Sequence, residues 1–215
     1  MRFKNALGLG IFLLCGSAVF AQGEGASRVE VFGEYSYLRF NPTIPQGHNR
    51  SFNGGGGGAT FNITQHLAIK GELMGYGSTT WSTTVGAPIV TPHGTIPAGT
   101  FSTQGNMFTY LFGPVVKFPT SRFTPFFETL FGGSNTNGYA NLTKAVNQAT
   151  GTLSTSGTQH PFTMAVGGGV DFHINKNFSV RPLEIDYVLT RYTNPFTSTN
   201  NQNNFRYIAG VVYRF

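Results

Sequence analysis

The sequence predicts an all-β fold: an eight-stranded antiparallel up-and-down transmembrane β-barrel. Three observations predict it. First, residues 207–215 alternate, with Tyr207, Ala209, Val211, Tyr213 and Phe215 on one face and Ile208, Gly210, Val212 and Arg214 on the other. That is the two-residue period of a strand, apolar and aromatic throughout on one side. Second, similar segments recur along the chain, joined by connections that are alternately long and short. Third, the N-terminus reads as an export signal. A soluble protein that ended on such a strand would expose an aggregation-prone edge, whereas a closed barrel in lipid removes the edge and needs the apolar face.

The export signal has a basic start at Arg2 and Lys4, then an apolar run over residues 6–16 with Ile11, Phe12, Leu13 and Leu14. Val19-Phe20-Ala21 then puts small or short residues at the −3 and −1 positions before Gln22, where a signal peptidase cuts. Residues 1–21 are expected to be a cleaved signal peptide and residues 22–215 a single barrel domain. Cys15, the only cysteine, lies inside the leader, so no intrachain disulfide is expected. Leu14 is bulky where a lipidation site wants a small residue. Charged residues are only 10% of the chain and aromatic residues 14%. The net charge of +6 falls once Arg2 and Lys4 leave, and no Lys/Arg-rich run remains, so no nucleic-acid partner is expected. The apolar runs after the leader are too short for a spanning helix, which leaves strands to cross the membrane.

The first strand is read at 28–40, with Val29, Val31, Gly33, Tyr35 and Tyr37 opposite Glu30, Phe32, Glu34, Ser36 and Leu38. A proline-containing loop at 41–50 ends it. The second, at 52–63, contains the Gly54–Gly58 run. That run lacks the Gly-Lys-Ser/Thr ending and the following helix of a phosphate loop, so it reads as close backbone approach or bending in the barrel wall. After a short turn, the third strand at 67–80 sets Leu67, Ile69, Gly71, Leu73 and Gly75 opposite Ala68, Lys70, Glu72 and Met74. A long Thr/Gly/Pro-rich loop is expected over 81–103. The fourth strand, 104–118, places Phe108, Tyr110, Phe112 and Val116 against Met107, Leu111, Val115 and Lys117. A short turn leads to the fifth at 122–135, where Phe127 and Phe131 oppose Glu128 and Leu130. A long polar loop covers 136–160. The sixth strand, 161–174, alternates Phe162, Met164, Val166, Val170 and Phe172 with Thr163, Ala165, Asp171 and His173. The turn at 175–177 is immediate. The seventh strand, 178–192, sets Leu183, Ile185, Tyr187 and Leu189 opposite Glu184, Asp186, Val188 and Thr190. A Thr/Asn loop at 194–203 precedes the closing strand. Long loops on one side and short turns on the other are the outer-membrane pattern, with both chain ends on the periplasmic side.

The charges sharpen this reading. Seven of the eight acids, Glu30, Glu34, Glu72, Glu128, Asp171, Glu184 and Asp186, lie opposite their strand's apolar series, as do Lys70, Lys117, Arg206 and Arg214. A cation facing the bilayer midplane costs about 2–4 kcal/mol, so these groups are expected inside, with the apolar series in lipid. Arg39, Arg181 and Arg191 break the parity and, near strand ends, are expected to snorkel. A soluble barrel would invert every face and crowd Phe108, Tyr110 and Phe112 into a narrow lumen.

The segments 29–37, 125–128 and 167–171, together with the Tyr213-Arg214-Phe215 end, resemble the eight-stranded outer-membrane β-barrel family, typified by the transmembrane domain of outer-membrane protein A. The resemblance covers residues 22–215 as a pattern more than residue by residue. It implies the bacterial outer membrane as the location. It also implies that Tyr213 and Phe215 form the signal read by the barrel-assembly machinery. The peptidoglycan-binding domain of the larger family member is not expected here.

Function must come from sites. The expectation is a non-enzymatic, adhesion-type or structural barrel that anchors in the envelope and presents its loops. Glu30, Glu34, Lys70, Glu72, Glu128, Asp171, Glu184, Asp186, Arg206 and Arg214 would form its interior polar plug. The expected partners are outer-membrane lipid and lipopolysaccharide, since the outer loops hold Arg50, Lys144, His48, His93 and His160 but no acid. One alternative is a lipid-modifying enzyme. His173 shares a face with Asp171, but no serine accompanies it at that spacing, so no catalytic residue is assigned. The other alternative is a narrow passive pore. No cofactor is expected, and no His/Asp/Glu cluster with metal-ligand spacing is evident.

Overall fold

A computed structural model describes residues 28–41, 50–91, 94–138, 141, 144, 160–191 and 201–215. The proposed signal peptide and cleavage site lie outside the described residues. So do His48, His93 and most of the loops at 41–50, 136–160 and 194–203.

The described chain forms β1 (Val29–Phe40), β2 (Arg50–Asn62), β3 (Leu67–Val85), β4 (Ile89–Thr91), β5 (Gly94–Ile96), β6 (Gly99–Lys117), β7 (Phe123–Thr136), β8 (Phe162–His173), β9 (Phe178–Arg191) and β10 (Asn201–Arg214). Eight of these close into an antiparallel barrel in the order β1-β10-β9-β8-β7-β6-β3-β2, and β4 pairs with β5 as a separate small hairpin. The seam joins the two ends of the chain in unbroken register, from Glu30 opposite Arg214 to Arg39 opposite Phe205. Three tight turns, at 63–66, 118–122 and 174–177, share one end of the barrel with Arg28 and Phe215. Thr64 Oγ1 accepts the backbone N–H of His66 and Leu67 at 3.1 and 3.0 Å. Asn175 Oδ1 does the same for Asn177 and Phe178 at 2.9 and 2.8 Å. These side chains satisfy backbone donors that a tight reversal leaves free.

The walls alternate as a two-residue period requires. Leu73, Phe112, Phe127, Ile185 and Tyr207 are exposed on the outside, while Lys70, Glu72, Glu128, Glu184, Asp186 and Arg206 are buried inside. The glycine run of β2 serves close approach. A Cβ on Gly58 would lie 1.9 Å from the carbonyl oxygen of Gly71 and 2.8 Å from the Phe32 ring, and one on Gly56 would lie 2.0 Å from the carbonyl oxygen of Leu73.

In strand extent the structure departs from the sequence reading in two places. Residues 81–103 are not a plain loop. β3 and β6 run on for 19 residues each and stay paired from Thr79 opposite Gly105 to Val85 opposite Gly99, past a register shift above Tyr76. The β-branched threonines of this stretch favour extended backbone, and that outweighs its loop-like composition. The closing strand also begins earlier than its apolar pattern suggests, at Asn201. Its start is polar because Gln202 and Asn204 point into a hydrogen-bonded lumen, where Thr190 Oγ1 donates to Gln202 Oε1 at 3.1 Å and Asn204 Nδ2 donates to Thr190 Oγ1 at 3.3 Å.

Candidate functional site

The lumen brings residues from six strands into one ionic layer. Lys70 on β3 donates to both oxygens of Glu128 on β7, at 3.1 Å each, and to both oxygens of Glu184 on β9, at 3.1 and 3.3 Å. Glu72 lies 3.4 Å from the same ammonium. Arg206 on β10 donates through Nε and Nη2 to Asp186 Oδ2, at 2.9 and 2.7 Å, and bridges to Glu72 through both terminal nitrogens. Arg181 on β9 holds Asp171 of β8 in a two-pronged pair at 2.7 and 3.1 Å, and its Nη1 reaches Glu34 of β1 at 2.6 Å and Glu184 at 2.9 Å. The Arg181 guanidinium also lies 4.4 Å from the centre of the Phe126 ring and 5.6 Å from that of Phe32. Paired, multiply bonded charges of this kind are the ones a low-dielectric interior tolerates. Carboxylates outnumber cations here: Glu34, Glu72, Glu128, Asp171, Glu184 and Asp186 face Lys70, Arg181 and Arg206.

Arg181 does not snorkel. It is 3% exposed. The ladder slips between its pairing with Gly210 and that of Glu184 with Ile208, which inverts the facing of β9 below that point and turns Arg181 inward. Arg39 and Arg191 do lie exposed near strand ends.

Nearer the turn end, Lys117 donates to Glu30 at 2.6 Å and to Asn62 Oδ1 at 3.0 Å, and Arg214 reaches the other oxygen of Glu30 at 3.3 Å. Toward the loop end the lumen is not the polar filling that strand parity suggests. Leu38, Phe40, Phe52, Met74, Tyr76, Met107 and Leu111 join one buried apolar cluster. An eight-strand lumen is so narrow that side-chain volume, rather than contact with water, decides what fills it. On the far wall at that level, Thr163 donates to Ser134 at 2.9 Å.

Barrel closure and hairpin pairing also create two constellations that a single strand face does not show. Glu72, Glu128 and Glu184 offer three carboxylate oxygens within 4.8 Å of one another, a cluster the sequence reading did not find. Because Lys70 donates to two of them and lies 3.4 Å from the third, its ammonium supplies the positive charge that a metal ion would otherwise bring. His173 does have a serine beside it: Ser179, from the next strand, has its hydroxyl 2.9 Å from Nδ1. Arg214 donates to that same Nδ1 at 2.8 Å, and Nε2 lies 3.0 Å from the hydroxyl of Thr124. The lone pair that would take the Ser179 proton therefore already receives a guanidinium donor. Asp171, the acid that would orient the ring, is held by Arg181. The set ties strands together at the foot of the barrel. Tyr213 and Phe215 stack edge to face at 5.0 Å on the outer wall, and Phe215 N–H donates to the Val29 carbonyl at 3.1 Å.

No protein-family model matches the chain, and no curated protein matches it in sequence. Solved structures do match its shape. The chain is similar to Neisserial surface protein A, at 13% identity and a TM-score of 0.54, over 89% of this chain and 100% of that one. It is similar to the outer membrane protein OprG of Pseudomonas aeruginosa, at 12% identity and a TM-score of 0.53, over 90% and 98% of the two chains. The fold is therefore that of the eight-stranded antiparallel barrels of the bacterial outer membrane.

Proposed function

We propose that this chain is a non-enzymatic anchor of the bacterial outer membrane whose role is to present its loop end. The observation that carries the reading is the filled lumen. An ionic layer and an apolar cluster occupy its successive levels, so the interior is committed to holding the barrel together. Chemistry directed outward is left to the rims. At the loop end the β3–β6 ribbon extends past the register shift at Tyr76, and between Glu72 and Lys117 the chain has no Asp, Glu, Lys or Arg. Among the described residues the exposed charges near that end are Arg39, Lys144 and Arg191, all cations. Such a surface suits the phosphates of lipopolysaccharide or an acidic partner. Assembly through the Tyr213–Phe215 end by the barrel-assembly machinery belongs to the same reading.

The test shortens residues 86–98, beyond the last β3–β6 pair, and residues 139–159 to tight turns. Long-loop closure changes stability little, so the shortened barrel folds and inserts. It loses binding to lipopolysaccharide-coated surfaces, and the binding of the full chain falls with added salt. Undiminished binding by the shortened barrel would reject loop presentation. A planar-bilayer recording separates this reading from a pore, because a filled lumen gives no steady conductance.

A further inference from the structure

The foot of the lumen holds one contact whose donor and acceptor are fixed by chemistry. Arg214 Nη1 lies 2.8 Å from His173 Nδ1. A guanidinium can only donate, so Nδ1 of this half-buried ring must offer its lone pair and carry no proton. The ring proton then sits on Nε2 and points to Thr124 Oγ1 at 3.0 Å. The contact runs from β8 to the closing strand β10, across the β9 that lies between them.

The surroundings are unfavourable to a second proton on this ring. On the same strand, both oxygens of Asp171 take the two prongs of Arg181 from β9, at 2.7 and 3.1 Å. From β1 comes Glu30, whose Oε1 accepts from Asn62 and Arg214 and whose Oε2 accepts from Lys117 of β6. Both oxygens of both acids are therefore taken, and none is left to greet an imidazolium. Arg28, Arg122 and Lys176 stand exposed around this end, and the terminal carboxylate belongs to Phe215, whose ring stacks on Tyr213 on the outer wall. A proton on Nδ1 would face a guanidinium at hydrogen-bond distance. One acceptor for that proton is already in reach: the buried Ser179 hydroxyl of β9, 2.9 Å from the same nitrogen.

We propose that His173 and Arg214 form an acid-released latch on the closing strand. At neutral pH, Nδ1 accepts from Arg214 and ties β10 to β8. When the ring takes a proton, Nδ1–H donates to Ser179 Oγ instead, and like charge expels the guanidinium from the foot of the lumen. Arg214 is then left with a share of Glu30, at 3.3 Å, which Lys117 already holds at 2.6 Å. The backbone does not follow, because the Arg214 N–H and carbonyl are bonded to Asn177 at 2.7 and 2.9 Å. The strand keeps its ladder and loses one side-chain tie. An unfolded chain takes the same proton without that loss, so the barrel is destabilised as the pH falls through the histidine range, about 6.5 and below. This inference rests on the closed barrel and not on loop presentation.

The test follows urea unfolding of the full chain in lipid vesicles at pH 8 and pH 5. A hydrogen bond to a charged group is worth a factor on the order of ten to a hundred in the unfolding constant. The native barrel should lose about that factor at pH 5 relative to His173→Asn, which offers an acceptor oxygen near the Nδ1 position but takes no proton. Comparing the two chains cancels the response of the other acids and histidines. Ser179→Ala removes the acceptor of the protonated ring and should deepen the loss. Nitrogen NMR reads the ring directly in the His48→Gln/His66→Gln/His93→Gln/His160→Gln chain, where His173 is the remaining histidine. At pH 8 it should show a protonated Nε2 and a bare Nδ1. That measurement decides by itself if His173→Asn does not fold. Equal loss of stability by the native and His173→Asn barrels, or a protonated Nδ1 at pH 8, would overturn the latch.

Discussion

Replacing Lys70 by Met tests whether the ionic layer holds the barrel together. The side chains are similar in length, so the change removes a charge without opening a large cavity. Lys70 Nζ lies within 3.1 Å of Glu128 and Glu184 and 3.4 Å of Glu72, and it is 1% exposed. Three carboxylates within 4.8 Å of one another would lose their shared cation in a layer where carboxylates are already in excess. Removing one partner of a buried ion pair costs about 3–5 kcal/mol, mostly because the other charge is left uncompensated. Lys70→Met should therefore lower the unfolding free energy in lipid vesicles by about that amount, read from urea titrations followed by far-UV circular dichroism and heat-modified gel mobility. Two corollaries separate charge from packing. Lys70→Met combined with Glu128→Gln should cost less than Lys70→Met alone, as a double-mutant cycle would show. Calcium should raise the stability of Lys70→Ala but not that of the native barrel, because the emptied centre then offers three carboxylate ligands. If Lys70→Met unfolded within about 1 kcal/mol of the native chain, the layer would not be a source of stability and the reasoning would fail.

Three other outcomes follow from the geometry. Leu73→Arg and Ile185→Arg place a cation in lipid at positions that are 53% and 41% exposed and should cost about 2–4 kcal/mol each, whereas the buried Thr163→Val should cost about 1 kcal/mol through its bond to Ser134; vesicle unfolding titrations rank them. Gly58→Ala should destabilise by about 1–3 kcal/mol, because its Cβ would meet the Gly71 carbonyl at 1.9 Å, while Gly33→Ala, with nothing within 4 Å of its Cβ, should be neutral; equal effects would remove close approach as the reason for the glycine run. Phe215→Asp should leave unfolded, protease-sensitive chain in the periplasm of an expressing cell, and normal yields of heat-modifiable barrel from that variant would dissociate the terminal aromatic from assembly.

Strand number and facing were legible because both follow from a local period. The turns were legible because Asn175 and Thr64 cap their own neighbours. What escaped was set by register. Arg181 has the wrong parity for the lumen until the slip in the β9–β10 ladder is known, and the residue that signals that slip is Pro182, which has no N–H for the ladder and suits a bulge. The meeting of Lys70 with Glu128 and Glu184 joins positions 58 and 114 residues apart, which only closure and strand tilt bring into range. Ser179 reaches His173 locally, as its cross-strand partner over the short β8–β9 turn rather than along a face. The apolar cluster hid because Leu38, Met74, Met107 and Leu111 occupy the face that parity marks as polar. One missed element had a signal: Thr79, Thr80, Thr83, Thr84 and Val85 are β-branched, and weighing them above the nearby glycines and prolines would have carried β3 into its ribbon.

The ion pairs that cross the lumen also make the fold a test of its own completeness. Asp186 is bonded to Arg206, and Glu30 to Arg214, and both arginines arrive on the final strand. Until β10 is in place, the seam along β1 has no partner, Asp186 faces the excess carboxylates of the layer without its arginine, and Glu30 keeps only Lys117 of its two cations. A chain halted one strand short therefore carries exposed ladder groups and uncompensated charge into an apolar solvent, and both raise its free energy there. Insertion in its final form is reserved for the whole chain, and the discrimination is made by the same carboxylates that hold the finished barrel together.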